Sequence, residues 1–333
     1  MSHILHLGHQ PTDLSGAETR ISTTAGAFDP TLDVNGLGFS GNSSTAAPFV
    51  LAIPEPAQDL WLGFRYRTPS ADAGSISRSN AMFLELRDGA GALLAQVKPR
   101  TSTNGYHAIA HGDDVVEGAT SFVAPNATAA WIDLRLAVGA EITVAFHVDG
   151  ILRSTASAPN VGGKGRPRTV IFTNTGLHGG SFSSRSWFYA HIAVLDGVST
   201  IGRRFVRRVP DTVATFEQMI GSIDALKDGS FASRVASTAP GQRLSFSLTG
   251  PTGPAAVTAI AGVHLKQISQ GGTDGPQATA GFLHMAGMNH DAAPVSVPVL
   301  APAVVFSSWS VNPADGSPWT DLTLPGEVGI LSA

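Results

Sequence analysis

Alternation of apolar and polar residues with a period of two runs through most of the chain. Leu60, Leu62, Phe64 and Tyr66 alternate with Trp61, Gly63 and Arg65, as expected of a strand with one face on a core. Met82, Leu84 and Leu86 alternate with Phe83, Glu85 and Arg87. Asp88-Gly89 then turns the chain into Leu93, Ala95 and Val97, so residues 81–98 read as a hairpin. The clearest pair follows. Ile132, Leu134, Leu136 and Val138 share one face, Gly139-Ala140 turns, and Ile142, Val144, Phe146 and Val148 share the next, with Asp149-Gly150 as a second turn. Further strands are predicted at 169–174 and 186–195, the latter with Trp187, Tyr189, His191 and Ala193 on one face. The segments 99–130 and 153–186, rich in Ser, Thr, Asn, Gly and His, read as long surface loops. Short strands joined by Gly, Asp, Asn and Pro turns, with no βαβ rhythm and no internal repeat, predict an all-β antiparallel sandwich or barrel.

A break falls near 201–211. Arg203-Arg204-Phe205-Val206-Arg207-Arg208 concentrates four basic residues before Pro210-Asp211, the composition of a solvated linker or a charged interdomain contact. This divides the chain into a domain over 1–200, a linker over 201–211 and a smaller β-domain over 212–333. Within the latter, Val213, Phe216, Ile220, Ile223 and Leu226 fall near helical spacing, so a short helix is predicted over 212–226. Strands are predicted again at 244–248, 256–267, 278–285, 295–300 and 304–310. Gly250-Pro251-Thr252-Gly253-Pro254 has two collagen-like triplets, too few for a triple helix, and reads as a turn.

Composition narrows the chemistry. Of 333 residues, 43% are hydrophobic and 14% charged, with 37 Gly, 21 Pro and no Cys. There is enough apolar material for sizeable cores, and disulfides, zinc–thiolate sites and thiol catalysis are excluded. The net charge of −4 gives no general affinity for nucleic acid or acidic membranes. The longest apolar runs, such as 301–306, are far short of a bilayer span, and the start of the chain does not read as a secretory signal peptide. No Gly-x-Ser-x-Gly elbow and no Walker loop is present. His107-x-x-x-His111-x-Asp113-Asp114 has metal-ligand residue types, but Gly105 and Gly112 argue for a loop, and no metal or other cofactor is expected. Paired carboxylates of matching parity, the machinery of sugar hydrolysis, are missing from the predicted strands. Glu141 and Asp149 share parity at opposite ends of one strand, roughly 27 Å apart at about 3.4 Å per residue. The chain is therefore expected not to be an enzyme. What remains is recognition. Planar hydrogen-bonding groups beside aromatic rings suit sugar hydroxyls, and Tyr106, His107, His111, Asp113, Asn174, His178 and Arg185 are the candidate glycan contacts.

Both ends of the chain carry a resemblance. Trp131-Ile132-Asp133-Leu134, the strand 141–150 ending in Asp-Gly, and the Trp187-led strand to Asp196-Gly197 resemble a concanavalin A-like jelly roll over residues 1–200. Trp309-Ser310-Val311-Asn312-Pro313-Ala314-Asp315-Gly316-Ser317-Pro318-Trp319-Thr320, followed by Gly329-Ile330, resembles the ending of tailed-phage and gene-transfer-agent virion proteins. Pro313 and Gly316 are expected to set a turn across which the two Trp residues pack, with Thr320 capping it. The stretch from Pro254 to Lys266 resembles the same family's central hairpin. The resemblance implies a head spike or fibre protein, made in bacterial cytoplasm and assembled into a virion. Its partners would be host capsular or surface polysaccharide and other virion proteins, with no membrane insertion. A homo-oligomer, trimer or pentamer, is expected. Two other roles stay open: a structural spike base or fibre adaptor, and a polysaccharide-degrading enzyme.

Overall fold

The computed structural model describes residues 3–9, 13–14, 19–23, 26–39, 48–67, 84–99, 106–119, 129–172, 188–227, 233–254, 257 and 259–333. The chain forms two compact units, Met1–Val206 and Arg207–Ala333.

The first unit opens with β1 (Ile4–Leu7), β2 (Thr19–Ser22), β3 (Gly36–Phe39), β4 (Phe49–Ala52) and β5 (Leu60–Arg67). The hairpin β6 (Leu84–Asp88) and β7 (Leu93–Pro99) follows, then β8 (Tyr106–His111) and β9 (Val115–Glu117). The remainder is β10 (Ala129–Val138), β11 (Glu141–Val148), β12 (Ile151–Pro159), β13 (Pro167–Phe172) and β14 (Phe188–Asp196). These make an eight-stranded sheet in the order β12-β11-β10-β5-β14-β3-β2, with β1 also on β14, and a six-stranded sheet in the order β4-β13-β6-β7-β8-β9. Every pairing is antiparallel. The fold is the antiparallel jelly-roll sandwich expected.

Alternation explains the packing. Leu60, Leu62, Phe64 and Tyr66 of one sheet meet Leu84, Leu86, Val170 and Phe172 of the other in a single core. Phe64 and Phe172 touch edge to face across the sheets at 5.3 Å, the arrangement ring quadrupoles favour. The sandwich closes at one corner, where the Ala108 N–H donates to Ser154 Oγ at 3.0 Å. There the Asp113 N–H also donates to the Pro159 carbonyl at 2.7 Å.

Three expectations for this unit are corrected. The stretches expected as loops over 99–130 and 153–186 contain β8, β9 and most of β12, while the strand expected at 169–174 forms as β13. On β14, Tyr189 lies in the core but His191 does not share its face. Ala190 pairs with Arg65 and Ala193 with Gly63, so two residues of β14 stand against one of β5, a bulge. His191 takes φ +54° there, which sends its ring to the outer face and returns Ile192 and Val194 to the core. The basic run is also not wholly a solvated linker. The first unit extends to Val206, and the Arg204 guanidinium sits 3.9 Å from the Trp131 ring centroid.

The second unit holds β15 (Val209–Glu217), β16 (Arg243–Thr249), β17 (Val263–Ser269), β18 (Ala278–Met285), β19 (Met288–Asp291), β20 (Val295–Ser296), β21 (Ala303–Trp309) and β22 (Glu327–Ser332). The main sheet runs β15-β16-β22-β18-β19, with β20 on β18, and β17 pairs with β21 as a separate ribbon. Phe246, Leu283 and Val328 pack with Trp309 and Trp319. The helix predicted over 212–226 is replaced by strand to Glu217 and one 3-10 turn, Ile223–Leu226. Bulges produced the false period. Pro210, Val213 and Glu217 pair with Leu248, Phe246 and Leu244, so steps of three and four on β15 match steps of two on β16. The hairpin expected over 254–266 is also not formed, because β17 takes its partner from the distant β21. The C-terminal turn forms as expected. Gly316 has φ +74°, the Trp319 indole N–H donates to the Trp309 carbonyl at 2.9 Å, and Thr320 and Thr323 close the next turn.

Candidate functional site

Because β6, β7, β8 and β9 alternate about the core, their opposite parity builds the outer face of the six-stranded sheet. One row runs Glu85–Gln96–Ile109–Glu117 in register across the four strands. Beside it stand Arg87, Lys98, His107 and His111. The Arg87 guanidinium donates to Glu85 Oε2 through Nε at 3.0 Å and Nη2 at 2.7 Å. The Gln96 amide donates to Glu85 Oε1 at 3.4 Å. That fixes its carbonyl toward His111, whose Nε2 lies 2.7 Å from Gln96 Oε1. An acceptor there requires the proton on Nε2 and leaves Nδ1 as the lone-pair nitrogen. Burial, with the Lys164 and Lys98 cations, pushes the imidazole down to about 4, so it is neutral at physiological pH. Lys164 is tied to the Leu93 and His111 carbonyls at 3.1 and 2.8 Å. Farther along, Glu117 receives Lys98 at 3.8 Å and His107 at 3.3 Å. The face is thus a set of paired polar groups around buried Gln96, His107 and Ile109, with Arg87 partly exposed at the Glu85 end and Lys98 with Glu117 at the other.

The sequence-predicted contacts scatter over this geometry. His107 and His111 lie on the outer face of β8, four residues apart on a strand and not in a loop, with His107 buried and His111 half-buried. Tyr106 has the opposite parity. It is buried in the core, its hydroxyl 3.3 Å from that of Tyr66, so it offers nothing to a ligand. Asp113 is exposed, but its carboxylate accepts the Val161 and Gly162 N–H groups at 2.6 and 2.9 Å and fastens the sandwich corner. Asn174, His178 and Arg185 lie outside the described residues. Among the described residues no three His, Cys, Asp or Glu side chains converge as metal ligands would. His107 turns to Glu117, His111 to Gln96 and Asp113 to a loop backbone. Sequence reading missed Glu85, Arg87, Gln96, Lys98 and Glu117. For four of them the signal was parity in the 81–98 hairpin, where Glu85, Arg87, Gln96 and Lys98 alternate with the core positions Leu84, Leu86, Ala95 and Val97; Glu117 lies on β9, outside that hairpin.

No family model and no curated protein matches the chain. Among solved structures, similar chains include the cellulose-induced protein Cip1, at TM-score 0.41 and 10% identity over 57% of this chain and 94% of the other. An endo-β-1,4-glucuronan lyase from Trichoderma reesei matches at TM-score 0.43 and 11% identity, over 59% of this chain and 96% of the other. A carbohydrate esterase of the Shiga toxin-encoding bacteriophage phi24B matches at TM-score 0.39 and 12% identity, over 59% and 99%. Likeness at this level bears on neither the activity nor the ligand of the chain.

Proposed function

We propose that the first unit is a non-catalytic carbohydrate-binding sandwich that attaches a phage-like particle to host-surface polysaccharide. The polar outer face of the six-stranded sheet is its contact surface. The observation that carries this reading is the rim of that face, where Arg87, Lys98 and Glu117 are the more exposed groups and Glu85 and His111 are half-buried, polar side chains held in fixed positions around the buried Gln96 and Ile109. Its two cations, Arg87 and Lys98, are each paired with a carboxylate, so the face offers both donors and acceptors. Binding is preferred over hydrolysis because Glu85 and Glu117 stand three strand spacings apart, about 14 Å. Glycosidase carboxylates work at about 5–10 Å. Each of the two is also engaged by neighbouring cations.

The particle role is supported by the C-terminal turn, whose Trp309–Trp319 bond has the form the resemblance implies. A structural adaptor is the second reading, favoured by Leu300 and Leu322 of the second unit, 95% and 98% exposed.

The test is binding of the purified protein to encapsulated cells of a candidate host and to their acapsular mutants, with the polymer length followed. Capsule-dependent binding at unchanged chain length is expected. Shortening of the polymer would replace this reading with an enzyme, and binding to neither cell type would replace it with the adaptor.

A further inference from the structure

The outer face of the eight-stranded sheet carries a buried polar cluster that the glycan reading does not use. The end of the first unit, residues 200–206, crosses this face and is held at three points. Thr200, 1% exposed, fills the notch left by Gly63, where a Cβ would lie 2.8 Å from the Thr200 Cβ. Arg204 lies over Trp131 at 3.9 Å and reaches Asp133, a fully buried carboxylate, with Nη1 3.6 Å from Oδ1. Phe205 packs edge to face on His191 at 6.0 Å.

Beneath this strap, two imidazoles both serve as hydrogen-bond acceptors for main-chain N–H groups. His191 Nε2 accepts from Asp29 at 3.0 Å, and His9 Nδ1 accepts from His191 at 3.1 Å. Each ring is therefore neutral, with its proton on the other nitrogen. On His9 that nitrogen, Nε2, faces the Asn35 carbonyl at 2.7 Å. Adding a proton to either accepting nitrogen sets a donor against a donor.

We infer that residues 200–206 form a latch on the first unit that acid releases through His9 and His191. The charged groups facing the pair are Asp29, Arg65 and Arg204 beside His191, Asp33 at 3.5 Å from His9 Nε2, and Asp133 and Asp149 beside Arg204. The two arginines oppose protonation and the carboxylates favour it. Burial dominates, with His9 and the arginines adding to it, and holds docked His191 down to about 3. A released strap re-solvates the ring toward its ordinary value near 6.5. Release therefore takes up a proton, and full recovery of that value lowers the docked-to-released ratio by about 25-fold between pH 7 and pH 5 for this imidazole alone.

The chain has no Cys, so Thr200→Cys supplies a single reporter thiol in the full-length protein. Its reaction with 4,4′-dithiodipyridine is measured at each pH and normalised to the urea-unfolded protein. The latch requires strong protection near pH 7.5 and at least a 10-fold loss of protection by pH 5. In the same background, His9→Asn with His191→Gln keeps both accepting atoms without titration and is expected to abolish the pH response. Arg204→Met is expected to expose the thiol at both pH values. Equal protection at the two pH values would overturn the latch, as would an unchanged response in a folded His9→Asn/His191→Gln variant. Should that variant fail to fold, the profile of Thr200→Cys together with that of Arg204→Met decides.

Discussion

Gly63 shows how much one absent side chain settles in this sandwich. An added Cβ would come within 2.8 Å of the Thr200 Cβ and 3.0 Å of Asp133 Oδ1, so Gly63→Ala forces out the chain end that crosses the sheet. A cost of about 1–3 kcal/mol is expected, read as a lower urea midpoint at unchanged slope. Tyr106→Phe is a milder change, removing one buried hydroxyl contact. It is expected to lower stability by about 1 kcal/mol and to leave glycan binding intact, because the ring lies in the core. Histidines set the acid limit of the first unit. His111 and His191 titrate near 4 and 3 in the folded chain, below the ordinary value near 6.5. The unfolded chain therefore binds more protons below about pH 6.5. Stability should be level above about pH 7.5 and fall steadily from pH 6.5 toward pH 4, measured as thermal midpoints across that range.

Strands were legible where one face is buried and the other wet. The β10–β11 pair appears in the register its alternation implies, Leu134 opposite Phe146 and Leu136 opposite Val144. Legibility failed where that condition fails. In β8, Tyr106 to Ala110 are all buried, so its short run of small and polar residues carries no alternation and read as loop. In β14 and β15, bulges insert residues and turn a period of two into apparent threes and fours. A bulge depends on what the partner strand offers, and one strand's sequence does not contain that. Neither does it contain the pairing of β17 with β21, whose partners lie 34 to 46 positions apart. The C-terminal turn was readable because Trp, Asn, Pro and Gly each have a local role there. Trp319→Phe keeps the ring but removes the indole donor to Trp309. It should cost about 1–3 kcal/mol by leaving a buried carbonyl without that partner, seen as a lower urea midpoint of the second unit.

At the scale of the whole molecule, the sequence predicted an all-β chain and a lectin-like sandwich, and only a fragment of the candidate site. Of the four predicted contacts among the described residues, His107 and His111 fall on the polar face and Tyr106 and Asp113 do not. The groups that organise that face come from strand parity, which can be read from sequence once the core positions are known. Which of the sandwich's two outer faces stays accessible is decided by what crosses them, as residues 200–206 do on the eight-stranded sheet. The central proposal is that the partly buried polar face of the six-stranded sheet binds carbohydrate through its exposed rim. Its most direct test is a microarray of bacterial capsular and O-antigen polysaccharides, probed with the wild-type chain and with Gln96→Ala/His111→Ala of matched thermal midpoint. Selective capture of a subset of the polysaccharides by the wild type, and at least a 10-fold weaker signal from the double variant, are expected. Capture that is unchanged in the variant, or no capture of any polysaccharide by the wild type, would contradict the proposal.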